Sequence, residues 1–254
     1  MIQVHMFPCL KDNYGYLVHD AEANVTAAID TPDVPAIRRA LEDKEWRLTH
    51  ILNTHHHSDH AGGNLELKAQ TGCQIIGPGA DAGRIPGIDI SVGEGDEFRL
   101  GHHRVQVFDT PGHTRGHIVY LLPDDGIAFV GDTLFSLGCG RLFEGTAAQM
   151  WSSLQKLLAW PDATLLYCAH EYTQANGQFA STLEPQNPDL AARLAEVHDL
   201  RAEGRPTVPT TLAQEKATNP FLRPTSAELK VAVGLPDAPP VEVFAKTREL
   251  KDAF

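Results

Sequence analysis

The sequence predicts an α+β chain: mixed β-sheets covered by helices over residues 1–170, then a small all-helical region over residues 171–254. Three observations carry this reading. Up to about residue 170, short apolar runs that end in turn residues alternate with segments of helical spacing. Beyond it strand-like runs disappear, and Pro185, Pro188, Pro206, Pro209, Pro220 and Pro224 punctuate segments of helical period. The size and composition, 254 residues with 42% hydrophobic and 21% charged, suit one large soluble domain with a smaller one attached.

The elements follow in order. Tyr14–Asp20 and Val25–Asp30 are short apolar strands, each ending in an aspartate. Pro35–Leu41 is helical, with apolar residues at 37, 40 and 41. Leu48–Thr54 is a strand that runs into three histidines. Leu65–Ala69 is the middle of a helix and Gln74–Gly77 the next strand. Glu97–Asp109 alternates around Gly101-His102, a hairpin pattern. His117–Leu122 and Ile127–Gly131 are strands joined by the turn residues Pro123 to Gly126. Ala147–Ala159 is an amphipathic helix and Ala163–Cys168 a last strand. Segments near 172–182, 188–203, 211–217, 225–233 and 240–251 are helices.

Charge narrows the function. Lys plus Arg is 21 against 33 Asp plus Glu, a net charge of -12. An acidic surface of that size argues against nucleic acid or an anionic membrane as partner. No apolar run approaches the ~20 residues of a membrane helix, and Met1 to His5 has neither the basic nor the apolar part of a signal peptide. Cys9, Cys73, Cys139 and Cys168 are scattered, with no CxxC pair, which suits reduced thiols and a cytoplasmic location.

The 13 histidines are bunched. Thr54-His55-His56-His57-Ser58-Asp59-His60 reads as His-x-His-x-Asp-His at the carboxyl end of a strand. Residues two apart in extended chain project to one side, so His55 and His57 can share a metal. Asp59 and His60 follow where the chain turns into Ala61-Gly62-Gly63, and can face a second metal. His56 and Ser58 fall on the other side. Three further strand ends complete a set. His113 follows Val105–Phe108 between Gly112 and Thr114. Asp132 ends Ile127–Gly131 and can bridge two cations, one through each oxygen. His170 ends Leu165–Ala169. A surface cluster explains a bare His-His-His, and a lone strand-end Asp or His is more often a cap. Four such ends in this order are better explained by metal. Nitrogen and oxygen ligands without thiolate suit Zn, Fe or Mn at an open catalytic site. Asp30 either buttresses the histidine loop or caps a helix before Pro32. Thr54 and Thr114 are lesser buttressing candidates.

These motifs resemble the metallo-β-lactamase superfamily and, within it, glyoxalase II. THHHxDH, TPGHTxGH, GDTLF, GCGR and AHEYT stand in that family's order and spacing. The tail segments Glu215–Arg223 and Arg248–Phe254 are similar to it as well, so the resemblance spans essentially the whole chain. It implies a four-layer αβ/βα sandwich followed by a helical, glutathione-binding domain, with the boundary at 170/171. It implies two divalent ions per chain, zinc first, with iron or manganese as alternatives: His55, His57 and His113 on one, Asp59, His60 and His170 on the other, Asp132 on both. It implies hydrolysis of S-(2-hydroxyacyl)glutathione thioesters such as S-D-lactoylglutathione by a hydroxide between the ions, with Asp59 accepting a hydrogen bond from it. Arg141, Tyr172, Arg248 and Lys251 correspond to glutathione contacts. Phe143 stands where many relatives have a tyrosine, and Arg141 where many have a lysine. The small-molecule substrate is the expected partner, and the expected state is a monomer. A persulfide dioxygenase or a lactonase of the same superfamily is the alternative. The first lacks a complete second site, whereas Asp59, His60 and His170 are all present here.

Overall fold

In the computed structural model, which describes residues 2–254, the chain divides into two units. The first runs to Asp109 and resumes over Arg115–Gly131, and the second comprises Thr110–Thr114 and Asp132–Phe254.

The first unit opens with β1 (Gln3–Cys9), β2 (Asn13–Asp20), β3 (Val25–Ile29), α1 (Val34–Lys44), β4 (His50–Leu52), α2 (Ser58–Ala61), α3 (Asn64–Thr71), β5 (Gln74–Pro78) and β6 (Ile90–Val92). Its six-stranded sheet keeps chain order. β1 to β3 pair antiparallel and β3 to β6 parallel. The parallel steps follow from the helices that return the chain between those strands. Leu17, Ala28, Ile51 and Ile75 of the strands pack with Val34, Ile37 and Leu41 of α1 and Leu67 of α3. Each large side chain so buried contributes roughly 1.5–3 kcal/mol. Asp33, not Asp30, caps α1, accepting from the Ala36 amide at 2.9 Å. β7 (Glu97–Leu100), β8 (His103–Asp109), β9 (Ile118–Leu122) and β10 (Ile127–Gly131) form an antiparallel meander. The turn residues at Gly101-His102 and Pro123 to Gly126 sit where the sequence puts them.

β4 is shorter than the run Leu48–Thr54 predicts. At its end the Thr54 amide leaves the ladder to donate to the Asp30 carboxylate at 2.8 Å. β1 is an addition: Gln3–Cys9 mixes polar and apolar residues around Pro8 and shows no clean period, yet pairs with β2 along its whole length.

The second unit holds β11 (Leu134–Phe135), β12 (Gly138–Cys139), α4 (Ala147–Leu158), β13 (Leu165–Cys168), α5 (Thr173–Leu183), α6 (Pro188–Ala202), β14 (Thr210–Thr211), α7 (Leu212–Thr218), α8 (Ala227–Ala232) and α9 (Pro240–Ala253). A Thr146–Gln149 capping box starts α4. The region after 170 is helical as expected, apart from β14, which pairs antiparallel with Leu165–Leu166. Two residues carry no period for a sequence reading to find. Leu137, Ala180 and Leu190 form an apolar cluster, and the rings of Phe179, Phe221 and Phe244 meet nearby.

Four buried polar side chains from this helical region fasten the β11–β12 turn. Glu215 accepts from the Leu137 amide at 2.8 Å, Asn219 donates to the Phe135 and Gly138 carbonyls, Asn176 to the Ser136 carbonyl, and Arg193 to the Ser136 hydroxyl. Leu137 is held there at φ +59°, a conformation that costs a non-glycine residue energy unless its surroundings enforce it.

Candidate metal centre

In the first unit, β3 and β4 end side by side and deliver Asp30 and the histidine loop to one place. His55 Nε2 and His57 Nδ1 face each other at 3.0 Å. The two nitrogens point to one place, as alternation along the strand predicts. His60 lies on the next turn, its ring 4.0 Å from that of His55. Its Nε2 is 3.6 Å from an oxygen of Asp59, which also accepts from Asn13 at 3.1 Å. His56 turns away to Asp81 and Arg84, and Ser58 is exposed.

Asp30 is the buttress. It is buried at φ +57°, a region that aspartate tolerates better than most residues. One oxygen accepts from the Thr54 amide. The other takes the Thr54 hydroxyl and His60 Nδ1, each at 2.8 Å. Because the threonine proton goes to Asp30, the Thr54 oxygen accepts from His55 Nδ1 at 3.0 Å. Both rings therefore carry their proton on Nδ1 and present Nε2 unprotonated, the tautomer a cation needs. His117, fully buried, stacks on His55 at 4.8 Å. Gly131, at φ +48°, lets the chain pass this stack: a Cβ there would stand 2.7 Å from His117 Nε2.

In the second unit, Asp132 sits between two imidazoles. One oxygen is 3.3 Å from His113 Nε2 and the other 3.5 Å from His170 Nε2. His113 Nδ1 donates to the Arg141 carbonyl at 2.9 Å, which again fixes the tautomer. Tyr172 lies parallel on His170, ring centroids 4.8 Å apart. Thr114, offered as a buttress, makes no hydrogen bond with its buried hydroxyl among the described residues.

Beside His113 and Asp132 opens a cavity of about 630 Å³. All five residues expected to contact substrate line it: Arg141, Phe143, Tyr172, Arg248 and Lys251. They differ in availability. Arg248 is buried, and its fork is taken: Nε and Nη2 donate to Asp252, and Nη1 to the Cys139 carbonyl at 2.9 Å. Arg141 is two-thirds exposed and 3.7 Å from Asp252. Lys251 Nζ donates to the Ala175 carbonyl between the Phe179 and Phe254 rings. Burial, then the charges of Arg248 and Arg141, lower its pKa. Phe143 is exposed and sets its ring against the ring of His113 at 5.1 Å.

Sequence reasoning missed Asn13, Asn176, Glu215 and Asn219. Their partners stand 40 to 84 positions away, and no local pattern marks such contacts.

The cysteines are no nucleophiles. Burial pushes the Cys139 thiol up to about 11 and the Cys168 thiol up to about 12. This has a consequence for stability. Unfolding lets these thiols ionise near 9.0, while the folded chain keeps their protons to higher pH. Below pH 9 both states hold the protons and stability does not change. Above it the unfolded state loses them first, so stability should fall by up to ~1.4 kcal/mol per thiol per pH unit. Melting temperature followed from pH 7 to 10 checks this, and Cys168→Ala should flatten the fall.

The donors fit a divalent cation. Each imidazole whose far nitrogen has a partner turns the other inward, and Asp132 offers an oxygen to each of two histidines. Comparison with known proteins agrees. The metallo-beta-lactamase superfamily profile matches residues 29–170, and that of the hydroxyacylglutathione hydrolase C-terminus matches residues 171–254. The hydroxyacylglutathione hydrolase of Methylococcus capsulatus is 54% identical over 100% of this chain and 99% of its own. That of Maricaulis maris is 54% identical over 99% of this chain and 98% of its own. Among solved structures, ETHE1 from Myxococcus xanthus superposes with a TM-score of 0.69 at 27% identity, covering 98% of this chain and 90% of that one. With its strand-end histidines and aspartates and its helical C-terminal region, the chain belongs to the hydroxyacylglutathione hydrolases of the metallo-β-lactamase superfamily.

Proposed function

We propose that this chain hydrolyses S-(2-hydroxyacyl)glutathione thioesters, S-D-lactoylglutathione among them, to a hydroxy acid and glutathione, the second step of methylglyoxal detoxification. The observation that carries the reading is the cationic cavity beside His113 and Asp132. It joins histidine and aspartate donors of metal type to side chains suited to a dianionic peptide. The persulfide dioxygenase and lactonase alternatives are not favoured, because the relatives that match the whole chain at 54% identity are named as hydrolases of this kind.

We assign His55, His57 and His113 to one divalent ion, Asp59, His60 and His170 to a second, and Asp132 to both, with zinc the first choice and iron or manganese the alternatives. When bound, such ions supply an activated water near neutral pH and polarise the thioester carbonyl. The chain does the rest. Asp30 and the Arg141 carbonyl hold the imidazole protons on the far nitrogens. Asp59, fixed by Asn13, accepts a hydrogen bond from the attacking water. The leaving group is a thiolate of ordinary pKa ~8.5, so no general acid is required. Lys251 and Arg141 take the substrate carboxylates, while Arg248 holds the α9 side of the cavity in shape. Tyr172 lies against the peptide. Phe143 supplies apolar contact only, so any hydrogen bond that a tyrosine would give must come from elsewhere.

The scheme needs no residue from a second chain, and gel filtration at working concentration would test the proposed monomer. The four cysteines are buried and unbridged, which fits a reducing cytoplasm. No helix among the described residues is long and apolar enough to cross a membrane.

Arg141→Ala with Lys251→Ala should raise KM for the thioester about 30-fold. Each partly exposed cation is worth roughly 1 kcal/mol on a carboxylate. Metal content and kcat should hold. An unchanged KM would remove the substrate carboxylates from this cavity. The direct test is loss of thioester absorbance from S-D-lactoylglutathione with metal counted on the same sample. Turnover that rises with metal content supports the reading. A metal-loaded protein that leaves the thioester intact overturns it.

A further inference from the structure

His56 stands between two ligand candidates yet faces away from them, into a second set of charged groups. Asp81 and Arg84, on the short 3-10 turn Gly79–Arg84, receive it. Arg84 Nε and Nη2 both donate to one oxygen of Asp81, at 3.1 and 2.5 Å. Arg84 Nη1 donates to His56 Nε2 at 3.1 Å. The other oxygen of Asp81 is 3.3 Å from His56 Nδ1. A guanidinium only donates, so His56 Nε2 must accept, and the ring proton therefore sits on Nδ1, toward Asp81. One ring edge is thus held by a hydrogen bond and the other lies within ion-pair distance of a carboxylate, both on an element other than the histidine loop.

The arrangement is buried and fitted. Asp81 is 5% exposed. The chain makes room for it at Gly116, where a Cβ would stand 2.2 Å from the Asp81 carboxyl carbon. The rings of His56 and His57 meet edge to face at 4.8 Å. Asp30 and Thr54 hold His55 and His60 from one side, and the Asp81–Arg84 pair holds His56 from the other. The stretch from His55 to His57 is pinned at both faces.

We propose that Asp81 is a positioning residue for the metal-ligand loop, acting through His56, with Arg84 as the donor that selects the tautomer of His56. This rests on the metal reading of His55 and His57. The role is orientation: a loop free to rotate at His56 has to be ordered by the cation when it binds, and part of the binding free energy is lost to that ordering.

The test is zinc affinity, measured by competition with a chromophoric chelator on the metal-stripped full chain, beside the melting temperature of the same metal-free protein. Asp81→Asn keeps the size and the fit under Gly116 but removes the carboxylate. It should lose ~10–100-fold in zinc affinity, with the metal-free melting temperature close to wild type. In a His56→Gln background the same change should cost little more, because its route to the loop is gone. Arg84→Gln, which leaves the Asp81 carboxylate and its fit against Gly116 in place, is the second variant should Asp81→Asn fold poorly, and should lose affinity in the same direction. Wild-type affinity in both Asp81→Asn and Arg84→Gln overturns the proposal, as does a loss that persists in full in the His56→Gln background. Failure of the wild-type chain to bind zinc, iron or manganese would instead overturn the metal reading itself.

Discussion

Asp132→Ala is expected to remove metal and activity together. Asp132 is buried, and its two oxygens face His113 Nε2 and His170 Nε2 at 3.3 and 3.5 Å. Alanine leaves those imidazoles with no carboxylate to share a cation. A group that only hydrogen-bonds a ligand typically costs ~10–100-fold in metal affinity when removed; in the proposed scheme Asp132 supplies donor atoms directly, so the loss should exceed that range. Turnover should fall in proportion to the metal. Asp132→Asn, which keeps one oxygen and the volume, should fall between. Metal analysis after gel filtration, with thioester turnover on the same fractions, measures both. An Asp132→Ala protein that kept its metal and its kcat would show that Asp132 is no ligand.

Asp30→Ala should have the largest effect on stability. It strands three buried donors: the Thr54 amide, the Thr54 hydroxyl and His60 Nδ1. Each buried group left without a partner costs ~1–3 kcal/mol, together a large part of a total stability of ~5–15 kcal/mol. For a chain of this size the melting temperature should drop by roughly 10 °C or more. Asp30→Asn separates the two roles of this residue. Its oxygen can still accept from the Thr54 amide, so the fold should largely survive. Its amide group, however, donates where the carboxylate accepted. His60 Nδ1 must then accept, and the Thr54 hydroxyl is pushed to donate to His55. Both rings move their proton to Nε2, the nitrogen a cation needs bare. The expected result is a near-native melting temperature with metal affinity reduced at least tenfold, read by calorimetry and chelator competition. Normal affinity in Asp30→Asn would mean that the tautomers are set by something else.

The strand ends were legible because they are local. An apolar run followed by Asp or His puts a donor at a known place, and the spacing His-x-His-x-Asp-His needs only the two-residue period of extended chain. The helical tail was legible from its prolines and its period. What holds these parts was mostly not legible. Glu215 reaches the Leu137 amide across 78 positions and Asn219 the Phe135 carbonyl across 84, and a sequence shows neither. Asp30 is intermediate: its place after a strand offered two roles, and the choice was made by Asp33, which takes the helix cap instead. Arg248 shows the opposite failure. A cation near the end of a helix reads as solvated or as substrate-binding. Here it is buried, because Asp252 and a main-chain carbonyl satisfy its donors.

Residue 141 serves two masters through two different parts of itself. Its carbonyl takes the proton of His113 Nδ1, and its side chain points into the cavity. The carbonyl belongs to every amino acid alike, and the guanidinium does not. Under the proposed assignment, sequence drift at this position would change the cavity wall while leaving the hydrogen bond to His113 Nδ1 in place. A lysine, a glutamine or an alanine there would inherit the same imidazole tautomer. If His113 is a ligand and the cavity takes the substrate, as proposed, 141 is a place where single substitutions can alter the cavity without disturbing the imidazole tautomer.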